Sequence, residues 1–208
     1  MRKTEEWRDY FLELMESRYV ETRQKIKHNY QKNKKSIDAS FLEIVKQLLQ
    51  EGIEKQKKGE KKCISFFTCY QLNTSIQKKS YEIQMNLYNA QFYYDKEDIY
   101  ALWRPDFLYE YLEEDMDYFK KKAGQEIFQI RYPHLEEARL LYTNALSMLL
   151  LSYLKEWIPK IITLSEFKKL EKEKNFQIIY GQYMGKLFCL YQEKEETVVD
   201  KSEREGVY

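Results

Sequence analysis

Apolar residues recur at spacings of three and four along the first 60 positions, which predicts two amphipathic helices. The helices should cover residues 5–31 and 39–58. The first has a continuous apolar stripe: Trp7, Phe11, Met15, Tyr19, Thr22, Ile26 and Tyr30. Polar residues 32–36 should end the first helix, and a short polar loop favours antiparallel helices. Residues 5–58 are therefore predicted to form a helical hairpin.

The period changes to two after Lys62. Ile83, Met85 and Leu87 alternate with polar residues, which is typical of a strand with one face on a core and the other in water. Residues 63–72 alternate in the same way, so residues 62–92 are predicted to form an antiparallel hairpin. The segment 176–192 fits either a helix or two strands. Its glycines and its β-branched and aromatic residues favour a second hairpin.

Helix signals fill the rest of the chain. Asp95 and Asp98 indicate the start of a short helix that ends before Pro105. Three further helices are expected over residues 105–122, 133–157 and 163–174. Pro159 should end the second of these. The polar tail, 193–208, should be frayed.

These elements predict an α+β fold for one domain over residues 1–208. Five or six helices should pack on one face of a small antiparallel sheet, and the protein should be predominantly helical. The parts of the domain should be the helical hairpin 5–58, the sheet and helices of residues 62–192, and the tail.

Composition adds a bias toward tyrosine and an uneven charge. The chain has 19 Tyr and 11 Phe among 208 residues. An AT-rich bacterial genome explains this bias, and a tyrosine-rich binding surface is the alternative. Net charge is +1 overall, but residues 1–62 carry +5 (16 basic, 11 acidic) and residues 82–117 carry −8 (2 basic, 10 acidic). Such a molecule can pair with itself, with a partner or across its own fold.

The cysteines and the hydrophobic runs indicate a cytoplasmic protein. Three cysteines at Cys63, Cys69 and Cys189 form no disulfide framework, which is typical of a reducing compartment. The charged amino terminus does not resemble a signal peptide. No uncharged run is longer than that from Leu140 to Leu154, which is shorter than the roughly 20 residues of a membrane span. No membrane association is therefore expected.

No catalytic, metal-binding or cofactor-binding residue is predicted. His28 and His134 lack Cys, Asp or Glu at ligand spacing, and the cysteines lack a Cys-x-x-Cys motif. The segment Gly181 to Leu187 is one residue short of a phosphate-binding loop and has Leu where Ser or Thr is needed. The carboxylates of residues 113–117 are expected to form a solvated face or to dock against a basic helix. An enzyme site assembled from distant segments, using Cys189 or His134, stays open.

Two small groups are candidates for binding. A basic cluster at the end of the second predicted helix could meet phosphates: Lys55, Lys57, Lys58, Lys61 and Lys62. Trp103 and Arg104 belong to the residue types favoured at protein interfaces, although such a Trp more often anchors a helix to a core.

The sequence therefore favours a non-enzymatic interaction or accessory module, such as one encoded by a mobile element, with a protein partner or with itself. The alternative is a nucleic-acid-binding protein that uses the Lys-rich hairpin. Salt-dependent retention on DNA or RNA, weakened by charge reversal at Lys55, Lys57 and Lys58, would distinguish the two.

Overall fold

A computed structural model describes residues 2–126 and 131–193. The predicted tail beyond Glu193 lies outside the described residues. Helices and strands follow one another as α1 Arg2–Lys57, β1 Ile64–Gln71, α2 Asn73–Gln77, β2 Ile83–Tyr88, a 3₁₀ turn Phe92–Tyr94, β3 Tyr100–Trp103, α3 Asp106–Tyr109, α4 Leu112–Glu126, α5 Tyr132–Thr163, α6 Ser165–Lys169, β4 Lys172–Gln182 and β5 Leu187–Gln192. The fold is α+β and predominantly helical, as predicted.

The strands form one five-stranded sheet in the order β3-β2-β1-β4-β5. Its two predicted hairpins are present, because β1 pairs antiparallel with β2 and β4 pairs antiparallel with β5. The prediction of a purely antiparallel sheet is wrong, since β1 and β4 run parallel. A parallel neighbour requires a crossover. Here the chain makes it through β2, β3 and the helices α3 to α6.

A third strand occupies the place of a predicted helix. Tyr100–Trp103 pairs antiparallel with β2, and Met85 lies opposite Ala101. The carboxylates of Asp95 and Asp98 resemble a helix start, but Asp95 binds the loop backbone and Asp98 accepts a hydrogen bond from Asn86 of β2. Asp95 accepts hydrogen bonds from the backbone N–H groups of Asn89 (2.7 Å) and Glu97 (3.2 Å).

The amino-terminal segment α1 consists of two helical stretches joined at a kink, and it is not an antiparallel helical hairpin. Only Asn33 leaves helical geometry, with φ −110° and ψ 15°. Contacts with α5 advance in the same direction along both helices, from the Trp7–His134 ring contact to the Lys34–Glu156 and Asp38–Lys160 ion pairs. Segment 32–36 contains no Gly or Pro, so no residue in it forces the chain to leave the helix, and the helical path resumes after Asn33.

The other helices begin or end at different residues in the structure than the sequence predicted. The helix expected over residues 105–122 is two helices, α3 and α4. Pro159 lies inside α5 and does not end it. Buried Trp157 and Ile161 on either side of this exposed proline hold the helix on the core. The short helix after Thr163 is present as α6, and the chain then enters β4.

The core lies between the helices and one face of the sheet. It contains Phe67 and Cys69 of β1 and the alternating Ile83, Met85 and Leu87 of β2. Aromatic rings from three elements meet at its centre, where Trp157 of α5 lies 4.3 Å from Phe41 and 5.6 Å from Trp103 between ring centroids. The predicted inward face of β2 is confirmed.

Gly52 allows α1 to approach β2 closely. A Cβ atom at this position would lie 2.8 Å from Leu87 Cδ1 and 3.0 Å from Leu170 Cδ1. The helix therefore seals one side of the core. No helix among the described elements packs on the opposite face of the sheet, which we call the helix-free face.

Candidate interaction surfaces

The helix-free face of the sheet carries an aromatic cluster. Tyr70 and Tyr88 are buried there but lie outside the main core. The aromatic cluster consists of Phe66, Tyr70, Tyr88, Phe92, Tyr93 and Tyr183, with ring centroids 4.4–6.1 Å apart. Phe92 and Tyr93 belong to the 3₁₀ turn, which lies across the strands.

The aromatic cluster shields the centre of this sheet face from solvent, whereas the sequence pattern predicted that the face would be exposed to water. Thr68 and Asn86 lie opposite each other on β1 and β2, and both are fully buried. Asn86 donates a hydrogen bond to Asp98 over 3.4 Å, so its amide keeps a partner away from water. Polar side chains at alternate strand positions therefore indicate a solvent-exposed face only where no loop packs on that face.

A buried ion pair fixes the loop that carries the 3₁₀ turn. Lys61 Nζ lies 2.6 Å from Asp95 Oδ2, and the two side chains are 0% and 1% exposed. The same ammonium also donates to the carbonyl oxygen of Glu97. Because both side chains are buried, Lys61 has a structural role, and a phosphate cannot reach its ammonium group.

The aromatic cluster borders an apolar cleft of about 300 Å³. Its lining residues come from β1, the 3₁₀ turn, β4 and β5: Phe66, Phe92, Gln177, Ile179, Leu187 and Cys189. A cleft of this size is at the lower end of those that hold small ligands and is large enough for one hydrophobic side chain. Gln177 is the one residue with a strongly polar side chain among these six. The lining therefore favours apolar groups.

The cleft opens beside an edge strand of the sheet. Within residues 2–126 and 131–193, β5 pairs only with β4, and its six residues, Leu187–Gln192, carry no charge. Edge strands are usually protected by charged residues, by proline or by their shortness. β3 at the other edge has only four residues. β5 has none of these three features except its modest length, and its pairing with β4 is irregular between Ile178 and Ile179.

The remaining lysines of the predicted basic cluster separate into two groups. Lys55 is partly buried and contacts the carbonyl oxygen of Asp98 at 3.4 Å. Lys57, Lys58 and Lys62 are exposed. Phosphate binding by these three stays a prediction.

Trp103 and Arg104 do not form a shared anchor. The Trp103 ring is 6% exposed in the core, and its Nε1 donates to Ser40 Oγ over 3.3 Å. Arg104 is exposed and pairs with Asp106 at 2.7 Å. Arg104 also lines a shallow cleft of about 480 Å³ next to the bend of α1.

The acidic segment docks on the basic helix α1, one of the two arrangements expected for it. Asp115 is fully buried and accepts hydrogen bonds from Arg18 Nε (2.5 Å), Thr22 Oγ1 (2.6 Å) and the Tyr142 hydroxyl (2.6 Å). Glu114 pairs with Arg18 at 2.9 Å. Part of the charge imbalance along the chain is thus matched within the fold.

Glu113 forms a second network, with α5. Its carboxylate accepts hydrogen bonds from Arg139 and from the Tyr81 hydroxyl, the latter over 2.6 Å. Partial burial acts to raise the pKa of Glu113, but the bonds from Arg139 and Tyr81 outweigh it and lower that pKa to about 2. This carboxylate is held ionised, which favours a structural role over proton transfer at neutral pH.

The cysteines and histidines considered for an enzyme site lie apart. Cys189 lines the apolar cleft on the helix-free face, while His134 begins α5 and stacks on Trp7 at 4.8 Å. Cys69 is buried in the core, and burial raises the pKa of its thiol to about 12. No group of three His, Cys, Asp or Glu side chains within residues 2–126 and 131–193 is placed to hold a metal ion.

The residues of the cleft were not recognised from the sequence, although two signals pointed to them. Residues 187–191 are apolar at every position, which leaves apolar side chains on both faces of a strand. The Phe92-Tyr93-Tyr94 run lies between strands, where polar residues are usual.

The part of the chain that the structure describes has no helix both long and apolar enough to cross a membrane. No protein-family model matches the chain, and neither a curated protein nor a solved structure is detectably similar to it.

Proposed function

We propose that the protein is a binding module for an extended segment of another protein, which adds a strand to β5 and places an apolar side chain in the cleft. The observation that carries this proposal is the position of the cleft directly beside an uncharged strand edge that no other described strand pairs with. Backbone pairing on such an edge supplies affinity, and a pocket for alternate side chains supplies specificity.

The geometry of β5 supports both parts of this binding mode. Leu187 and Cys189 project to the cleft side, since Cys189 lies opposite Ile179 of β4. A strand paired to β5 would have its own alternate side chains on that side, within reach of the cleft. The partner segment should therefore be extended, with an aliphatic or aromatic residue flanked by residues that tolerate water.

The rigid tyrosines beside the cleft supply contact area at low conformational cost. Tyr183 is 40% exposed at the β4–β5 turn, and Met184 next to it is 71% exposed. Tyr93 accepts a hydrogen bond at its hydroxyl from the Met184 backbone N–H, over 3.2 Å. This bond ties the turn to the aromatic cluster, so the rim of the cleft is formed before a partner binds.

A displayed library of linear 12-residue peptides tests the proposal with a defined probe. We expect enriched peptides to share an apolar residue in an extended context and to shift the backbone amide resonances of β5. Methylating alternate peptide nitrogens should abolish binding, because strand pairing needs those N–H groups. Cys189→Glu should weaken binding at least about tenfold by placing a charge in the cleft.

Leu102→Glu is the matched control, because Leu102 is also exposed on the helix-free face but lies on the opposite edge strand. This variant should bind the peptides like the unmodified protein. Failure to enrich any peptide, or enriched peptides that shift β3 or α1 amides and leave β5 unchanged, would overturn the proposal.

A further inference from the structure

An exposed stripe on α1 has its charges separated by sign. It follows spacings of four and three, which keep side chains on one face of a helix. The α1 stripe consists of Asp9, Glu13, Glu16, Val20, Arg23 and Lys27, and all six are exposed. Its first half is acidic and its second half is basic, with an apolar residue between them.

The charges of the α1 stripe have no ion-pair partners within the described residues. The neighbouring cations on α1 behave differently: Arg18 and Lys25 pair with Glu114, and Lys34 pairs with Glu156. The described residues thus pair with the charges of α1 that face α4 and α5, and none of them pairs with the charges of the α1 stripe.

The α1 stripe is self-complementary when two copies are antiparallel. Glu13 and Lys27 lie seven residues on either side of Val20, and Glu16 and Arg23 lie four and three residues from it. A twofold axis at Val20 therefore places each basic half opposite the acidic half of the other copy. A parallel arrangement would place like charges together, which is repulsive.

The exposed apolar residues of α1 lie in the same region. Val20 is 55% exposed and Leu12 is 37% exposed. Over residues 7–57 of α1, no other large hydrophobic side chain is exposed. In the antiparallel arrangement Val20 meets its own copy at the axis. Twofold contacts of this isologous kind are the commonest in soluble oligomers.

We propose that the protein forms an antiparallel dimer with a second copy of itself through the α1 stripe. This inference uses a different surface from the β5 edge and does not rest on the function proposed above. Exposed ion pairs are individually weak and are screened by salt. The dimer is therefore reversible and salt-sensitive.

Sedimentation velocity of the full chain from about 1 to 100 µM tests the dimer at low salt. We expect the sedimentation coefficient to rise with concentration in about 50 mM NaCl and association to weaken at least about tenfold in 0.5 M NaCl. Arg23→Glu/Lys27→Glu makes both halves acidic, and Glu13→Lys/Glu16→Lys makes both halves basic. Each double variant alone should stay monomeric.

The equimolar mixture of these two variants is the decisive sample. Opposite charges then meet at both ends of the interface, so the mixture should form a heterodimer although neither variant associates alone. Lys57→Glu/Lys58→Glu is the control, because it changes net charge as much as Arg23→Glu/Lys27→Glu at exposed sites near the end of α1. This control should dimerise like the unmodified protein.

An unmodified protein that stays monomeric to about 100 µM at low salt would overturn the dimer, as would a mixture that shows no heterodimer. Cys189→Glu should leave sedimentation unchanged. The peptide-binding proposal and the dimer can therefore fail separately.

Discussion

Asp115 is a fully buried carboxylate between three helices. Its carboxylate accepts three hydrogen bonds, and those from Arg18 and Tyr142 connect α4 to α1 and α5. Taking a charge out of water is costly unless partners replace the lost solvation, and here a cation and two hydroxyls do so. The residue therefore fixes the relative positions of three helices.

We expect Asp115→Asn to lower the free energy of unfolding by about 2–3 kcal/mol, because it leaves Arg18 without its buried counter-charge and weakens charge-assisted hydrogen bonds. Urea denaturation measures this loss. Asp117→Asn, two positions along the same helix but exposed, should change the free energy by less than about 0.5 kcal/mol. Equal losses in the two variants would contradict the role given to Asp115.

At the scale of elements, the β4–β5 hairpin depends on a close approach at Gly181. A Cβ atom there would lie 2.1 Å from the carbonyl oxygen of Lys186, a backbone atom that cannot rotate away. The hairpin shapes the cleft edge, so any shift in this pairing moves Leu187 as well.

Gly181→Ala should destabilise the protein by about 1–3 kcal/mol through this overlap. Gly124→Ala gives the opposite sign, because nothing lies within 4 Å of the added Cβ and alanine favours a helix interior by about 0.5–1 kcal/mol. Thermal unfolding of the two variants checks both signs. A neutral Gly181→Ala would mean that the hairpin can open at this position without cost.

The elements differ in how far the sequence could predict them. Alternation identified β1 and β2, because each has one face on the core, whereas β4 and β5 were predicted from the glycines and the β-branched and aromatic residues of 176–192. It could not show that β1 has β4 as its parallel partner, since alternation carries no information about which strand lies alongside. β3 has only four residues and follows acidic residues that resemble a helix start.

The bend of α1 and the cleft were beyond prediction for a different reason. Whether Asn33 ends a helix or only bends it depends on α5, whose Tyr153 contacts Tyr30 before the bend and whose Glu156 and Lys160 pair with Lys34 and Asp38 after it. The cleft joins residues of four segments that lie far apart in the chain, from Phe66 to Cys189. Local pattern predicts local structure, and both features are set by tertiary contacts.

At the scale of the whole molecule, carboxylates hold the helices to one another. Glu113 joins α4 to α5, and Asp38 joins α1 to α5 through Trp157 and Lys160. Burial opposes ionisation of Asp38, but hydrogen bonds from Lys160, Trp157 and Tyr30 lower its pKa below the ordinary value.

These lowered pKa values predict acid lability. The stability that ionised Glu113 and Asp38 contribute is fully present above the pKa of the unfolded carboxyls and is lost as the pH falls through the folded values. For Glu113 the loss should occur between pH 4.5 and about 2. Urea denaturation at successive pH values measures it, and Glu113→Gln should flatten the slope in this window. An unchanged slope would assign the acid lability to other groups.

The parallel pairing of β1 with β4 has a consequence for the chain as it is made. Ile64 is paired with Lys172, so the central strand of the sheet waits for a segment that leaves the ribosome more than 100 residues later. At about 5–20 residues per second, that delay lasts roughly 5–20 seconds. During this interval the nascent protein exposes an apolar strand with one edge unpaired. We therefore expect chaperones to bind it during translation.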